Sequence, residues 1–219
     1  MTLTILSIFM LHSTLVVHII NPMCRRGLQE EKGRKILYSV LQIAFYSLSS
    51  LMVEKYVFSD TYSLFGPPTE GSTDLIFVQL GWYIYGLALD RHKIDMLLHH
   101  IVTITLLLYS KYTLLENFGL AVCLVHDISD PFLHVAKLFN YNGKYPVIRD
   151  IIFGMFATIF LTTRLCIFPY LAYRYAQFSG FTIGFFGICA LQVLHIRWSW
   201  LISKIIYKVI RGQDVKDDD

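Results

Sequence analysis

The chain has 219 residues, of which 55% are hydrophobic, 15% aromatic and only 16% charged, against about 25% charged in an ordinary soluble domain. This composition excludes a soluble globular enzyme and predicts an all-α, polytopic transmembrane helix bundle forming one domain. The net charge of +3 suits anionic head groups or a polyphosphate-bearing substrate and offers no nucleic-acid platform.

Apolar runs of about 17 to 25 residues read as spans, and they occur at Leu3–Ile20, Ile36–Val53, Leu75–Leu89, Met96–Lys111, Leu114–Phe139, Ile151–Tyr173 and Phe181–Ile206. The expected count is about seven. The first run has no charged n-region and no Ala-x-Ala-like cleavage site, so it reads as a retained span, with a signal peptide as the alternative. Leu75–Leu89 is short and Leu114–Phe139 is polar for a span; both become sensible if their polar faces turn inward. Glu54–Asp74, with Gly66-Pro67-Pro68 and Gly71-Ser72, reads as a loop, and Pro146 interrupts the one before the sixth span. The expected division is 1–30 as first span plus basic loop, 31–212 as the main membrane domain and 213–219 as an acidic tail.

Basic residues accumulate in cytoplasmic loops, and the 19 Lys and Arg residues alternate strongly. Arg25, Arg26, Lys32, Arg34 and Lys35 follow the first span, Arg91 and Lys93 the third, and Lys137, Lys144 and Arg149 the fifth, while Lys204, Lys208, Arg211 and Lys216 form the tail. Only Lys55, Lys111 and Arg174 fall on the other side, and Arg164 and Arg197 lie within spans. The N-terminus is therefore expected in the lumen and the C-terminus in the cytosol. Cys24, Cys123, Cys166 and Cys189 show neither CxxC spacing nor a disulfide framework.

The most informative residues are His99-His100 and His126-Asp127-Ile128-Ser129-Asp130, ionisable clusters inside apolar runs, where such groups usually mark function. Helical rotation of about 100° per residue places Asp130 near 40°, His134 near 80° and Asp127 near 100° from His126. Gly119 and Cys123 continue that face with small side chains, and Pro131 predicts a kink beside the acidic cluster by removing an N–H from the carbonyl of Asp127. Asp95, His99, Thr103, Leu106 and Ser110 form a second stripe, with His100 rotated away by about 100°.

A neutral imidazole can act as base, proton shuttle or nucleophile, and a carboxylate accepting its other N–H fixes the tautomer. Two histidines opposite an Asp-rich helix therefore fit acyl transfer. Helix-locking hydrogen bonds are the bland alternative, but each contributes only about 0.6 kcal/mol against about 2.5–3.5 kcal/mol for inserting a central Asp. His99, His100, His126, Asp130 and His134 are also competent metal ligands, yet the repeated histidine boxes of membrane di-iron oxygenases are missing from the sequence. A proton-coupled transporter is a third reading, without the inverted repeat such folds often show.

The segment from His99-His100-Ile101-Val102-Thr103 through Ser110, Gly119, His126-Asp127-Ile128-Ser129-Asp130, Leu133, Ala136-Lys137 and Tyr141 resembles the signature of ceramide synthases, the longevity-assurance group of the TLC-domain family. Thr163-Arg164-Leu165, Ile167-Phe168-Pro169, Leu191 to His195, Trp198 and Ser199 resemble that family's later spans. The resemblance covers about Leu75–Lys208 and implies a TLC-type bundle in the endoplasmic reticulum membrane that joins a fatty acyl-CoA to the amine of a sphingoid base. It implies that His99 and His100 carry catalysis and that Asp127 and Asp130 belong to the active site. His126, His134, Arg164, His195 and Trp198 are the candidate substrate-contacting residues, with Arg91 and Lys93 at the cytosolic mouth for the phosphates of CoA. Acyl-CoA is expected as cosubstrate, with no metal and no other cofactor; sphingoid base, membrane lipids and a second copy of the chain are the expected partners.

The sequence departs from the family pattern at Lys111 and Thr113, where Tyr and Asn are usual, at Asn117, where Arg is common, and at His134, where Glu is usual. A lipid-binding or lipid-sensing relative without catalysis is the principal alternative. Whether a histidine attacks the thioester or deprotonates the amine stays open. The charge pattern predicts that tags at the two ends report opposite compartments in a protease-protection assay; protection from the same side would contradict an odd number of spans.

Overall fold

The computed structural model describes residues 28–57, 63–89 and 93–211. The expected first span Leu3–Ile20, Arg25, Arg26, Arg91 and the acidic tail Asp214–Asp219 lie outside the described residues. Within them, every regular element is helical.

In chain order these are α1 (Leu28–Val57), α2 (Glu70–Leu89), α3 (Ile94–Tyr112), α4 (Glu116–Asp127), α5 (Asp130–Asn142), α6 (Pro146–Thr162), a π-helical segment (Thr163–Ile167), α7 (Phe168–Ser179) and α8 (Ile183–Ile210). The loop expected over Glu54–Asp74 is shorter than its composition suggested, because both flanking helices extend into it. Thr69 starts α2 with a reciprocal cap: its N–H donates to Ser72 Oγ at 2.8 Å and its Oγ1 accepts the Ser72 N–H at 3.2 Å. That satisfies orphan donors of the first turn. Pro131, Pro146 and Pro169 each sit in the first turn of a helix, where their missing N–H has no intrahelical partner to lose. Gly143 ends α5 at φ 71°, a left-handed cap that a side chain disfavours.

Four stretches among the described residues are long and apolar enough to cross a membrane: Glu31–Val57, Glu116–Asn142, Pro146–Ser179 and Ile183–Ile210. The second is α4 and α5 taken together, and its apolar window is 61% buried against 28–33% for the others. It is the centre of the bundle: α1, α2, α3, α7 and the π-helical segment all pack on α4, while α5 is held between α1 and α6. The helices α2 and α3, of 20 and 19 residues, are also about 30 Å and 28 Å long. Their polar residues, including Gln79, His99, His100 and Thr103, are buried, as the inward-facing reading of α2 requires.

The single fifth span read from the sequence is broken in its middle. Helix α4 stops at Asp127, Ile128 and Ser129 form a turn, and α5 restarts at Asp130. Pro131 is the local cause, since it cannot return an N–H to the carbonyl of Asp127.

The opposite end of α4 is tied down by a carboxylate. Glu116 is fully buried; its Oε2 accepts hydrogen bonds from Ser72 Oγ and Thr73 Oγ1, both at 2.8 Å, and its Oε1 meets Lys111 Nζ at 2.5 Å. Next to it, Asn117 accepts from Tyr56 OH at 2.7 Å and donates to the Ser63 carbonyl at 2.8 Å. Lys111 and Asn117, two of the departures from the family pattern, thus join α1, α2, α3 and α4 at one end. Replacing Lys111 by Met strands a buried carboxylate and is expected to cost about 2–3 kcal/mol, read as a lower melting temperature in detergent. Adding Glu116→Gln to Lys111→Met is expected to recover part of the loss.

Candidate active site

The turn at Ile128–Ser129 leaves the last carbonyls of α4 without helical partners inside the bundle, where no bulk water can take them. Arg164 supplies the donors. Its Nη1 donates to the Val125 carbonyl and its Nη2 to the His126 carbonyl, the latter at 2.6 Å. A guanidinium at a helix C-terminus is favoured by its forked donors and by the helix dipole. Arg164 points this way because it lies in the π-helical segment, where Phe168 N–H bonds the Thr163 carbonyl and Pro169 follows. Its Nη1 also donates to Thr163 Oγ1 at 3.3 Å, so its hydrogen-bond partners among the described residues are two backbone carbonyls and a hydroxyl.

On the face of α4 turned toward α8, His126 is buried and its Nδ1 lies 2.7 Å from the Val122 carbonyl. A carbonyl only accepts, so Nδ1 carries the proton, and in the neutral ring Nε2 is an acceptor. His195 Nε2 stands 2.9 Å from it and donates. His195 Nδ1 is then an acceptor, and the atom placed 3.4 Å from it is Gln192 Oε1; turning that amide over presents its NH2 as the donor that completes the chain. Phe168 packs edge-on against both rings, at centroid distances of 5.3 Å for His126 and 4.6 Å for His195.

His99 joins this cluster from α3. Its ring stacks on His126 at 5.8 Å and meets Trp198 edge-on at 5.3 Å, and its Nδ1 is buried with no hydrogen-bond partner among the described residues. His100 lies 5.6 Å from His99, and Tyr83 of α2 packs edge-on against both. Gly86 makes that approach possible: a Cβ there would stand 2.7 Å from the His100 ring. Four histidines from α3, α4 and α8 therefore share one buried volume, about 8 Å along α3 from its start at His99.

The carboxylates lie elsewhere. Asp127 Oδ2 accepts from Gln79 Nε2 at 2.7 Å and Ser49 Oγ at 3.0 Å, and its Oδ1 is buried with no hydrogen-bond partner among the described residues. Among the described residues no imidazole hydrogen-bonds it, unlike the expected Asp–His pair, because Asp127 is rotated from His126 toward α1 and α2. Asp130 accepts from Ser129 Oγ at 3.0 Å at the start of α5, and His134 packs against Tyr38 and Tyr46 of α1. The single polar quadrant read from helical rotation is thus divided between two sides of the bundle. Lys93 is exposed just before α3, and nearby Arg197 pairs with Asp95 at 2.8 Å. Ser49, Gln79 and Glu116 were not singled out by the sequence, although each is polar inside a candidate span. Among the described residues no group of three His, Cys, Asp or Glu side chains is placed to hold a metal ion.

Beyond His99 on α3, Thr103, Leu107 and Ser110 line a narrow apolar cavity of about 40 Å³ with Gly119, Cys123 and Tyr175. A cavity of about 170 Å³ opens at the other end between α5, α6 and α8, where Lys137, Asn140 and Arg149 join apolar residues such as Leu133 and Phe153 in the lining.

A family model described as the TLC domain matches residues 4–204 of the chain. Among curated proteins, ceramide synthase 5 of Homo sapiens is 33% identical over 170 residues, covering 70% of this chain and 43% of that protein. Ceramide synthase 4 of Bos taurus is 38% identical over 133 residues, covering 56% and 34%, and ceramide synthase LOH2 of Arabidopsis thaliana is 31% identical over 166 residues, covering 64% and 56%. The chain spans between a third and just over half of the length of these relatives.

The cap on α4 gives a graded prediction. Arg164→Lys reaches at most one carbonyl and Arg164→Met reaches none, so melting temperature in detergent should fall in the order wild type, Lys, Met, with the Met variant losing about 2–4 kcal/mol. Equal melting of Lys and Met variants would contradict the forked cap.

Proposed function

This chain belongs to the TLC domain family, and from that premise we propose that it is a ceramide-synthase-type N-acyltransferase, moving a fatty acyl group from acyl-CoA to the amine of a sphingoid base. The observation that carries this reading is the buried, unpartnered Nδ1 of His99 beside His100, His126 and His195. An imidazole nitrogen left without a partner in such surroundings is costly to the fold and is available to a substrate.

In the reaction, the thioester C–S bond breaks, an amide C–N bond forms, and an amine proton ends on the departing sulfur to give free CoA. His99 and His100 carry the chemistry, by attack on the thioester carbonyl or by taking the amine proton. His126 and His195, locked in complementary tautomers, and Trp198 hold the His99 ring. Asp127 and Asp130 provide negative charge on the α1 and α2 side, and His134 borders that side. Arg164 contributes by fixing the end of α4. Acyl-CoA is the cosubstrate, its phosphates at the cytosolic mouth with Arg91, Lys93, Lys137 and Arg149, and its acyl chain runs into the bundle beyond His99, where the apolar cavity must widen to take it. The proposal includes the seven-span arrangement in the endoplasmic reticulum membrane, N-terminus in the lumen. A homodimer finds no support and is not part of it.

His99→Ala and His100→Ala should each lower turnover by about 10²–10⁴-fold while melting near wild type. Retained turnover in both would overturn the assignment. Acyl-CoA alone, without amine, then separates the two chemistries: a stoichiometric release of CoA with one acyl group added to His99 or His100 identifies a nucleophile, and no adduct under conditions of full turnover identifies a base.

A further inference from the structure

An enzyme that joins two hydrocarbon chains at one centre needs two places to put them, and the bundle has two apolar spaces that share a wall. The first is the inner cavity beyond His99. The second is a groove of about 520 Å³ between α7 and α8, with Ala172, Ala176, Phe185 and Gln192 among its lining residues. Ile188, 2% exposed, lines both and separates them.

The groove's outer edge is apolar surface, and its inner end is not. Gln192 is half-buried there, on a helix whose neighbouring Val193 and Ile196 are 66% and 56% exposed on the apolar exterior. Its amide meets His195 Nδ1 at 3.4 Å, His195 meets His126 at 2.9 Å, and His126 stacks on His99. The groove is thereby continuous, through hydrogen bonds and ring contact, with the centre proposed for chemistry. Ala172 and Ala176 lie one turn apart on α7, and their small side chains leave the groove open between the two helices. From Gln192 back to Ile183, where α8 starts, the helix rises about 14 Å, close to half of a hydrocarbon core of about 30 Å. A lipid with its head at Gln192 therefore keeps its tail within one leaflet.

We infer that the groove between α7 and α8 binds the acceptor, a single-chain lipid carrying amino and hydroxyl groups at one end, drawn sideways from the bilayer with Gln192 orienting its head toward His195. The inference rests on the N-acyltransferase reading and assigns the acceptor its own site, apart from the acyl chain. Gln192 acts here as a positioning residue: with its amide turned so that the NH2 donates to His195, its oxygen can accept from an ammonium or hydroxyl.

The test uses the full chain in lipid-containing micelles. Ala176→Trp fills the groove, and Val193→Trp places the same bulk on the neighbouring exterior face as a control. Filling the groove should raise KM for a long-chain amino diol by about tenfold or more and spare a short water-soluble homologue, while the Val193 variant should stay within about twofold of wild type. Equal KM for the long-chain base in the two variants would overturn the site. A second measurement does not depend on turnover. A photoreactive long-chain amine should label α7 and α8 residues, with unlabelled long-chain amine competing and phosphatidylcholine not. Label confined to α3 and α4, or equal competition by phosphatidylcholine, would also overturn it. If wild type labels in this way but yields no N-acyl product, the groove stands and the transferase reading falls.

Discussion

A helix that ends in the middle of a membrane bundle must find partners for its last carbonyls, and α4 ends there. Pro131 withholds one N–H and the Ile128–Ser129 turn withdraws others, so the carbonyls of Val125 and His126 would be orphaned in a medium that cannot hydrate them. The guanidinium of Arg164 answers both. Much of the local architecture serves that contact: the π-helical segment aims Arg164, and Phe168, which follows it, packs on the two histidines beyond.

Once the end of α4 is fixed, its last two side chains leave in different directions. His126 faces α8 and enters a histidine cluster; Asp127 faces α1 and α2 and is held by Ser49 and Gln79. This separation has a chemical consequence. A carboxylate bonded directly to an imidazole would hold it by charge, whereas here the ring is oriented by a carbonyl, a second histidine and an amide.

The sequence made the core of this arrangement legible because two signals there are independent of context. Paired histidines inside an apolar run imply cost and hence function, and Pro131 implies a break wherever it falls inside a helix. The inward face of α2 followed from its short span. Arg164 was visible as a cation in a span, but not its partners, since backbone carbonyls are present at every position and only the break at Asp127 frees these. Glu116 passed unremarked because the sequence cannot say that Lys111, five residues earlier, returns to it across the α3–α4 connection. Helical rotation overstated the unity of His126, Asp127, Asp130 and His134: a spread of about 100° on one helix faces different neighbours once six other segments surround it.

The small residues around the site complete the physical account. Gly86 admits His100 against α2, and Gly119 lets Ser110 lie against α4, where a Cβ would stand 2.8 Å from its Oγ. Close approach of helices without a large apolar driving force is what small residues provide in a bilayer, and here it brings imidazoles from three helices to one place. The most direct measurement of what that place does is mass spectrometry of the purified chain incubated with a fatty acyl-CoA and a long-chain sphingoid base. The account predicts N-acylated base and free CoA in equal amounts; CoA release without the amide, or neither product from any combination of substrates, would contradict it.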